Sequence, residues 1–224
     1  LANIVVEAIN LIRREESDTI QCYSEDVMMC KSGVGTSTSS RLIRGLIIEK
    51  RVATDRFPQH ITSASVVVFD SDLTYKTPQF EAEIEVKQPE QITRFIEEED
   101  CQVDSIITHL LSSKVKAVFC TGEVHKNILH TLAAEGVFVL GQLEKIEAER
   151  ICKVSGATLL NRVEDLSSSE TGIVGSLDVE RDRVDDEIRE RIVIDGCTDC
   201  ELVTIEVGGS TDLEVEELIR AIHD

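Results

Sequence analysis

Three aliphatic stretches separated by two amphipathic ones constrain this chain most. Val115 to Cys120, Val137 to Leu140 and Thr158 to Leu160 read as short strands, and Gly122 to Glu135 and Glu144 to Ser155 between them read as one-sided helices. Strands and helices alternating in this way bury a sheet beneath helices, so the expected class is α/β. Leu46 to Ile48, Ser65 to Phe69 and Ala82 to Val86 predict further strands upstream, and Glu90 to Leu111 predicts a long helix joining the two sets. Gly136 and Gly156 follow two of these helices at the position where a left-handed cap is commonly needed.

The ends carry helical patterns of their own. Leu1, Ile4, Val5, Ala8, Ile9 and Ile12 recur at the spacing of one buried stripe, and Leu213, Leu218, Ile219 and Ile222 form a second. The first helix opens without a capping residue and the last stops without a terminator, which predicts a chain cut from a longer protein. There is no internal repeat, and Gly33 to Ser40 is the one stretch of low complexity.

With 224 residues of which 42% are hydrophobic, the chain is long enough to bury a sizeable core. It has no Trp and only 4% aromatic residues, so that core must be built of Val, Ile, Leu and Ala. The formal charge of −20 would repel phosphate backbones and anionic lipid, which excludes nucleic acid and membrane surfaces as natural partners. Acids spread along the whole chain, with Arg in excess of Lys, suit a halophilic cytoplasm, where a Debye length of about 3 Å at 1 M salt makes such a charge tolerable. No run approaches the roughly 20 apolar residues that span a bilayer, and the seven irregularly spaced cysteines are not a secreted disulfide framework. A soluble, cytoplasmic protein is expected.

Few residue clusters carry chemistry. Cys197 and Cys200 are spaced as C-x-x-C, but a structural zinc needs four ligands and no second pair completes the set, so no metal site is expected. His125 and His130 fall on different helical faces. Gly33-x-Gly35 and Gly208–Gly209 lack the G-K-[ST] of a phosphate loop and the G-x-G-x-x-G of a dinucleotide fold. The helix after Pro89 is more informative: Ile92, Phe95 and Ile96 form one apolar patch, Glu97 to Asp100 an acidic run, and Val103, Ile106, Ile107 and Leu110 a second patch. Periodicity alone packs all seven in the core; a split face instead packs at one end and projects at the other. In Glu144 to Ser155, Ile146, Ile151 and Val154 predict a buried face, and Glu147, Glu149, Arg150 and Lys153 a solvated one.

Two distant passages change the weighting. Arg41 to Arg51 (RLIRGLIIEKR) has L-I-R-G and then an aliphatic strand ending in E-K; Ile194 to Thr211 (IDGCTDCELVTIEVGGST) has G-C, a short polar turn, V-T-I and a glycine pair. These resemble the two hinge passages of an archaeal group II chaperonin subunit of the thermosome, or TCP-1, family. Leu1 to Ile12 (LANIVVEAINLI), Phe119–Cys120 and Arg220 to Asp224 (RAIHD) extend the resemblance over nearly the whole chain. Where the family carries H-P-G-M-P, this sequence has Thr54, Asp55, Arg56, Phe57 and Pro58, and Gly33 to Ser40 is less acidic than usual, departures that suit a divergent paralogue.

The resemblance implies an apical domain over residues 46–196, with a mixed sheet flanked by helices and a helical protrusion at about 87–112. A small α+β intermediate domain would be made of residues 1–45 and 197–224, with Gly45 and Gly196 at the hinge. It implies that non-native polypeptides bind Ile92, Phe95, Ile96, Lys145, Glu149 and Lys153, with a nearby loop around Thr74 to Thr77. The protrusion would act as the built-in lid of a double ring of neighbouring subunits. Asp224 aligns with the aspartate that orients water in ATP hydrolysis, but the equatorial nucleotide loop is absent from this sequence. ATP and Mg would therefore belong to the full-length protein, with no cofactor in this portion and no catalysis by it. The alternative is a self-contained α/β enzyme or ligand-binding domain, which predicts a convergent polar cleft at the strand C-termini.

Overall fold

The computed structural model describes residues 1–16, 19–21, 24–32, 39–74, 89–184, 187–197 and 201–223. In chain order the elements are α1 (Ala2–Ile12), β1 (Arg14–Glu16), β2 (Thr19–Gln21), β3 (Val27–Lys31), β4 (Arg41–Ile43), β5 (Leu46–Ile48), β6 (His60–Phe69) and α2 (Pro89–Ser112). There follow β7 (Ala117–Cys120), α3 (Lys126–Ala134), β8 (Phe138–Leu140), α4 (Lys145–Ser155), β9 (Leu159–Leu160), β10 (Gly172–Val184), β11 (Glu187–Asp195), β12 (Val203–Val207) and α5 (Asp212–His223). The expected strand Ala82 to Val86 lies outside the described residues.

A mixed seven-stranded sheet dominates, in the order β5-β11-β10-β6-β7-β8, with β9 also on β6. From β6 to β9 the chain alternates strand and helix, and all of these pairings are parallel. Parallel strands are covered on both faces and read as unbroken apolar runs; Val66 to Phe69, Ala117 to Cys120 and Phe138 to Leu140 are such runs, and all are buried. Phe57 and Phe119 flank Phe138, with ring centroids 5.5 and 6.1 Å away, so half of the six Phe residues meet at one point of the core. α4 lies against β5, β6, β9 and β10, whereas α2 and α3 contact each other and α3 lies on β8.

The antiparallel half of the sheet is a hairpin, β10 and β11, inserted between β5 and β6. No strand is evident there from aliphatic runs, because Asp178, Glu180, Arg181 and Asp182 dilute β10 and Arg189, Glu190 and Arg191 dilute β11. Sheets with one polar face carry this diluted alternation.

A separate three-stranded sheet, β3-β12-β4, is formed by strands from both ends of the chain. Val203, Ile205 and Val207 on β12 meet Ala8 and Ile12 of α1 and Val215 of α5 in a small core of their own. The end helices pack on narrower stripes than expected. Ile9 stays exposed because it sits about 100° from Ala8 on the helix, and Leu213 stays exposed because it sits about 200° from the buried Val215. Both predicted caps are present, with Gly136 at φ +74° and Gly156 at φ +72°.

Candidate functional site

α4 begins where Glu147 folds back to accept the backbone N–H of Glu144 at 2.8 Å. Its buried side is Ala148, Ile151, Val154 and Ser155. Ile146 was expected on that side, but five residues before Ile151 it is turned about 140° away, and it is 57% exposed. The outer face therefore carries Lys145, Glu149 and Lys153 as one exposed i, i+4, i+8 stripe with Ile146 beside it. Lys145 reaches Asp70 at 3.3 Å and Lys153 reaches Asp26 at 3.7 Å. Pairs this long with one solvated partner contribute at most about 1 kcal/mol, so a competing ligand displaces them easily. Lys50, just beyond β5, holds the first turn of the helix through Glu147 at 2.8 Å and the Gln142 carbonyl at 2.6 Å.

In α2 the second apolar set behaves as its spacing predicts: Val103, Ile107 and Leu110 are buried and Ile106 packs partly against them. One turn earlier the environment changes. Glu97, Glu98, Asp100, Cys101 and Gln102 are all exposed and only Glu99 is intermediate, so for more than a full turn the helix has almost no packed side. Ile92, Phe95 and Ile96 lie on the same helix, but their side chains fall outside what is described. Asp224, Cys200 and the loop from residue 75 onward also lie outside the described residues.

The two sheets are joined where β4 runs into β5 and β11 leaves toward β12. Gly45 is required by close approach: a Cβ there would lie 2.0 Å from the Ile194 carbonyl oxygen. Gly196 is required by its left-handed φ of +72°. Asp195 accepts the Arg44 N–H at 2.9 Å and the Gly196 N–H at 2.7 Å, the Cys197 N–H donates to the Arg44 carbonyl at 3.2 Å, and the Thr204 hydroxyl donates to the Gly45 carbonyl at 2.8 Å. Gly45 thus lies against Ile194 and Asp195, and Gly196 against Gly175, within one tightly bonded crossing.

Beside this crossing is a cluster that sequence reasoning missed. Arg191, 6% exposed, donates to Glu206 at 2.6 Å and Glu180 at 2.9 Å and pairs with Asp182 at 2.7 Å. Arg41 donates to the other Glu206 oxygen and to Glu180 at 2.8 Å. The sequence carries no local signal for it, because alternation puts Arg191 with Arg189 and Glu206 with Thr204 on the polar side of each strand, and burial of Arg191 and Glu206 comes from the other sheet. Burial alone would raise the Glu206 carboxyl, yet the hydrogen bonds from Arg41 and Arg191 outweigh it and hold the group below the usual glutamate range. A carboxyl depressed in the folded state stabilises above its unfolded value, about 4.3, and loses that contribution as pH falls through the folded value. The urea midpoint of the native protein should therefore exceed that of Glu206→Gln at pH 7 and converge on it as the pH drops below about 4; a gap independent of pH would contradict this.

A cleft of about 590 Å³ opens near the ends of β7 and β8, lined by residues 51–55, Glu123, Gln142 and Glu190 among others. This is where the ligand-binding alternative places its site. Two of its acids are already engaged: Glu190 accepts the Val52 N–H at 2.7 Å and Arg181 at 2.9 Å, and Arg181 also holds Asp55 at 2.5 Å. Among the described residues no three His, Cys, Asp or Glu side chains group as a metal site, and no helix is long and apolar enough to cross a membrane.

Comparison with known proteins supplies the frame for these features. A profile of the TCP-1/cpn60 chaperonin family matches residues 1–224. The thermosome subunit beta of Archaeoglobus fulgidus is 28% identical over 224 residues, which is all of this chain and 40% of that protein. The thermosome subunit of Methanopyrus kandleri is 26% identical over 227 residues, again 40% of its length, and thermosome subunit 1 of Haloferax volcanii is 26% identical over 225 residues, 39% of its length. The chain thus spans about two-fifths of the relatives it matches. Among solved structures, the open-state monomer of a group II chaperonin from Methanococcoides burtonii has the same fold, with a TM-score of 0.73 at 20% identity over all of this chain and 48% of that one.

Proposed function

This chain belongs to the TCP-1/cpn60 chaperonin family, and from that premise we propose that it is the client-gripping part of a group II chaperonin subunit. Residues 46–196 form the apical domain, residues 1–45 and 197–224 form the intermediate domain, and the stretch at about 87–112 is the helical protrusion that closes the chamber as a lid. Non-native polypeptide binds the outer face of α4 through Ile146 with Lys145, Glu149 and Lys153, and the protrusion through Ile92, Phe95 and Ile96. In the whole protein, ATP and Mg act in the part of the relatives' length that this chain does not span, and neighbouring subunits complete the ring in the cytoplasm.

One observation carries the reading. α4 buries one face completely and leaves a large aliphatic side chain, Ile146, exposed amid both signs of charge on the other. An exposed apolar group rimmed by charge serves contact with a flexible chain. The bare turn at 97–102 supports the lid, since a helix without packing around it projects from its body.

Aggregation of a chemically unfolded test protein, followed by light scattering at high salt, tests this. The chain should suppress scattering, and Ile146→Asp and Phe95→Asp should each weaken suppression several-fold, with Ile146→Asp changing folding stability by no more than about 0.5 kcal/mol. No suppression, or suppression unaltered in both variants, would overturn the proposal.

A further inference from the structure

The two strand connections fix how far apart the two sheets lie, not how they are turned toward each other. β12 faces both ways: Val203, Ile205 and Val207 enter the core under α1 and α5, while Thr204 and Glu206 lie on its other side, where their bonds reach Gly45, Arg41 and Arg191. β11 also faces both ways, with Ile192 and Ile194 in the main core and Arg191 and Val193 on the seam. The apolar part of that seam is small: Ile43, Ile47 and Val193 with Cys30 packed partly against them, and Met28 of β3, which packs partly against the main core. Such a patch is non-directional and tolerates rotation. The ionic cluster does not, because charge-assisted bonds near 2.8 Å are lost within about an ångström of displacement.

Sorting the cluster by sheet shows its design. Arg191, Glu180 and Asp182 belong to the β10–β11 hairpin, whereas Arg41 and Glu206 belong to the three-stranded sheet. Two ion pairs of the cluster therefore cross the seam in opposite senses, Arg191 to Glu206 and Arg41 to Glu180, and the remaining bonds hold each partner in place. A buried ion cluster is a poor way to gain stability and a good way to specify one arrangement. Arg191 Nε, buried without a partner, points the same way, since a seam selected for stability alone would not leave a donor unmet.

We propose that the reciprocal pair Arg191–Glu206 and Arg41–Glu180 is a latch that sets the orientation of the seven-stranded sheet against the three-stranded sheet, and that its release is the local event permitting one to swing relative to the other. The use of that swing rests on the chaperonin reading above; the latch itself does not.

The seam contains its own reporter. Cys30, partly buried, donates to Glu49 at 3.4 Å, and burial first, then Glu49, pushes its thiol up to about 12, so little of it is the reactive thiolate while the seam is closed. Cys120, buried in the main core and also pushed up to about 12, reports on opening of the large sheet instead. The experiment is time-resolved alkylation read cysteine by cysteine by mass spectrometry. It uses the native chain, Arg191→Met with Glu206→Leu, and Arg41→Met with Glu180→Gln; each double variant removes one charge of each sign, so the net field at Cys30 changes little.

In the first double variant Cys30 should react about tenfold faster or more, and in the second several-fold faster, while Cys120 keeps its native rate. An unchanged Cys30 rate in both variants would overturn the latch. So would parallel acceleration of Cys30 and Cys120, because the cluster would then merely stabilise the whole fold. No client protein is involved, so failure to suppress aggregation leaves this result intact, and the reverse also holds.

Discussion

Arg191→Ala should cost about 3–5 kcal/mol of folding free energy, a large share of the roughly 5–15 kcal/mol available to a domain. Among the described residues this side chain alone touches Glu206, Glu180 and Asp182 together, and Glu206, 2% exposed, would keep Arg41 as its cationic partner there. The loss comes from a carboxylate stranded out of water more than from contacts removed, so truncating one partner is worse than replacing both. Arg191→Met with Glu206→Leu should consequently be far milder than Arg191→Ala alone. Arg191→Lys should recover little, since one ammonium cannot reproduce a planar fork addressing Glu206, Glu180 and Asp182 together. Urea unfolding checks the order of these variants. An Arg191→Ala midpoint within experimental error of the native one would contradict the account of the seam.

Gly45→Ala should be comparably damaging, about 3 kcal/mol or more, for a steric reason. The added methyl would meet the Ile194 oxygen at 2.0 Å, its carbon at 2.9 Å and Asp195 Cα at 3.4 Å, all of them backbone. That backbone cannot yield locally, because Leu46 is already in register with Ile194 and Thr204 is bonded to the Gly45 carbonyl. Gly136→Ala is the informative comparison. Its φ of +74° is left-handed, but nothing lies within 4 Å of the new methyl, so only about 1 kcal/mol of backbone strain is expected. Thermal unfolding of the two variants side by side separates crowding from conformational strain, and equal losses would show that the approach of the strands at Gly45 is not what demands glycine.

The part of the fold legible in the sequence was the part whose burial is simple. β7, β8 and the end of β6 are covered on both faces, so Val66 to Phe69, Ala117 to Cys120 and Phe138 to Leu140 appear as uninterrupted apolar runs, and the helices between them keep a 3.6-residue rhythm. The hairpin of β10 and β11 was not visible, because a strand with one polar face and charges facing a polar seam resembles a solvated loop. Arg191 and Glu206 illustrate the difficulty: each falls on the polar side of its strand's alternation, where a solvated charge is the ordinary reading, and nothing local reveals that a second sheet covers that side or that their partners lie on other strands. Ile146 is hard to place for the opposite reason. An aliphatic residue in an amphipathic helix reads as inward, although its angle to Ala148 and Ile151 places it outward, where the proposed function needs it.

The most direct measurement places a photo-reactive residue at position 146 on α4 or, as a control, at position 130 on α3, both exposed. An unfolded client is added, and cross-linked adduct is quantified after irradiation. The account predicts strong client cross-linking from position 146 and little from position 130. Equal yields from the two helices, or none from position 146, would contradict the claim that the outer face of α4 grips non-native chains.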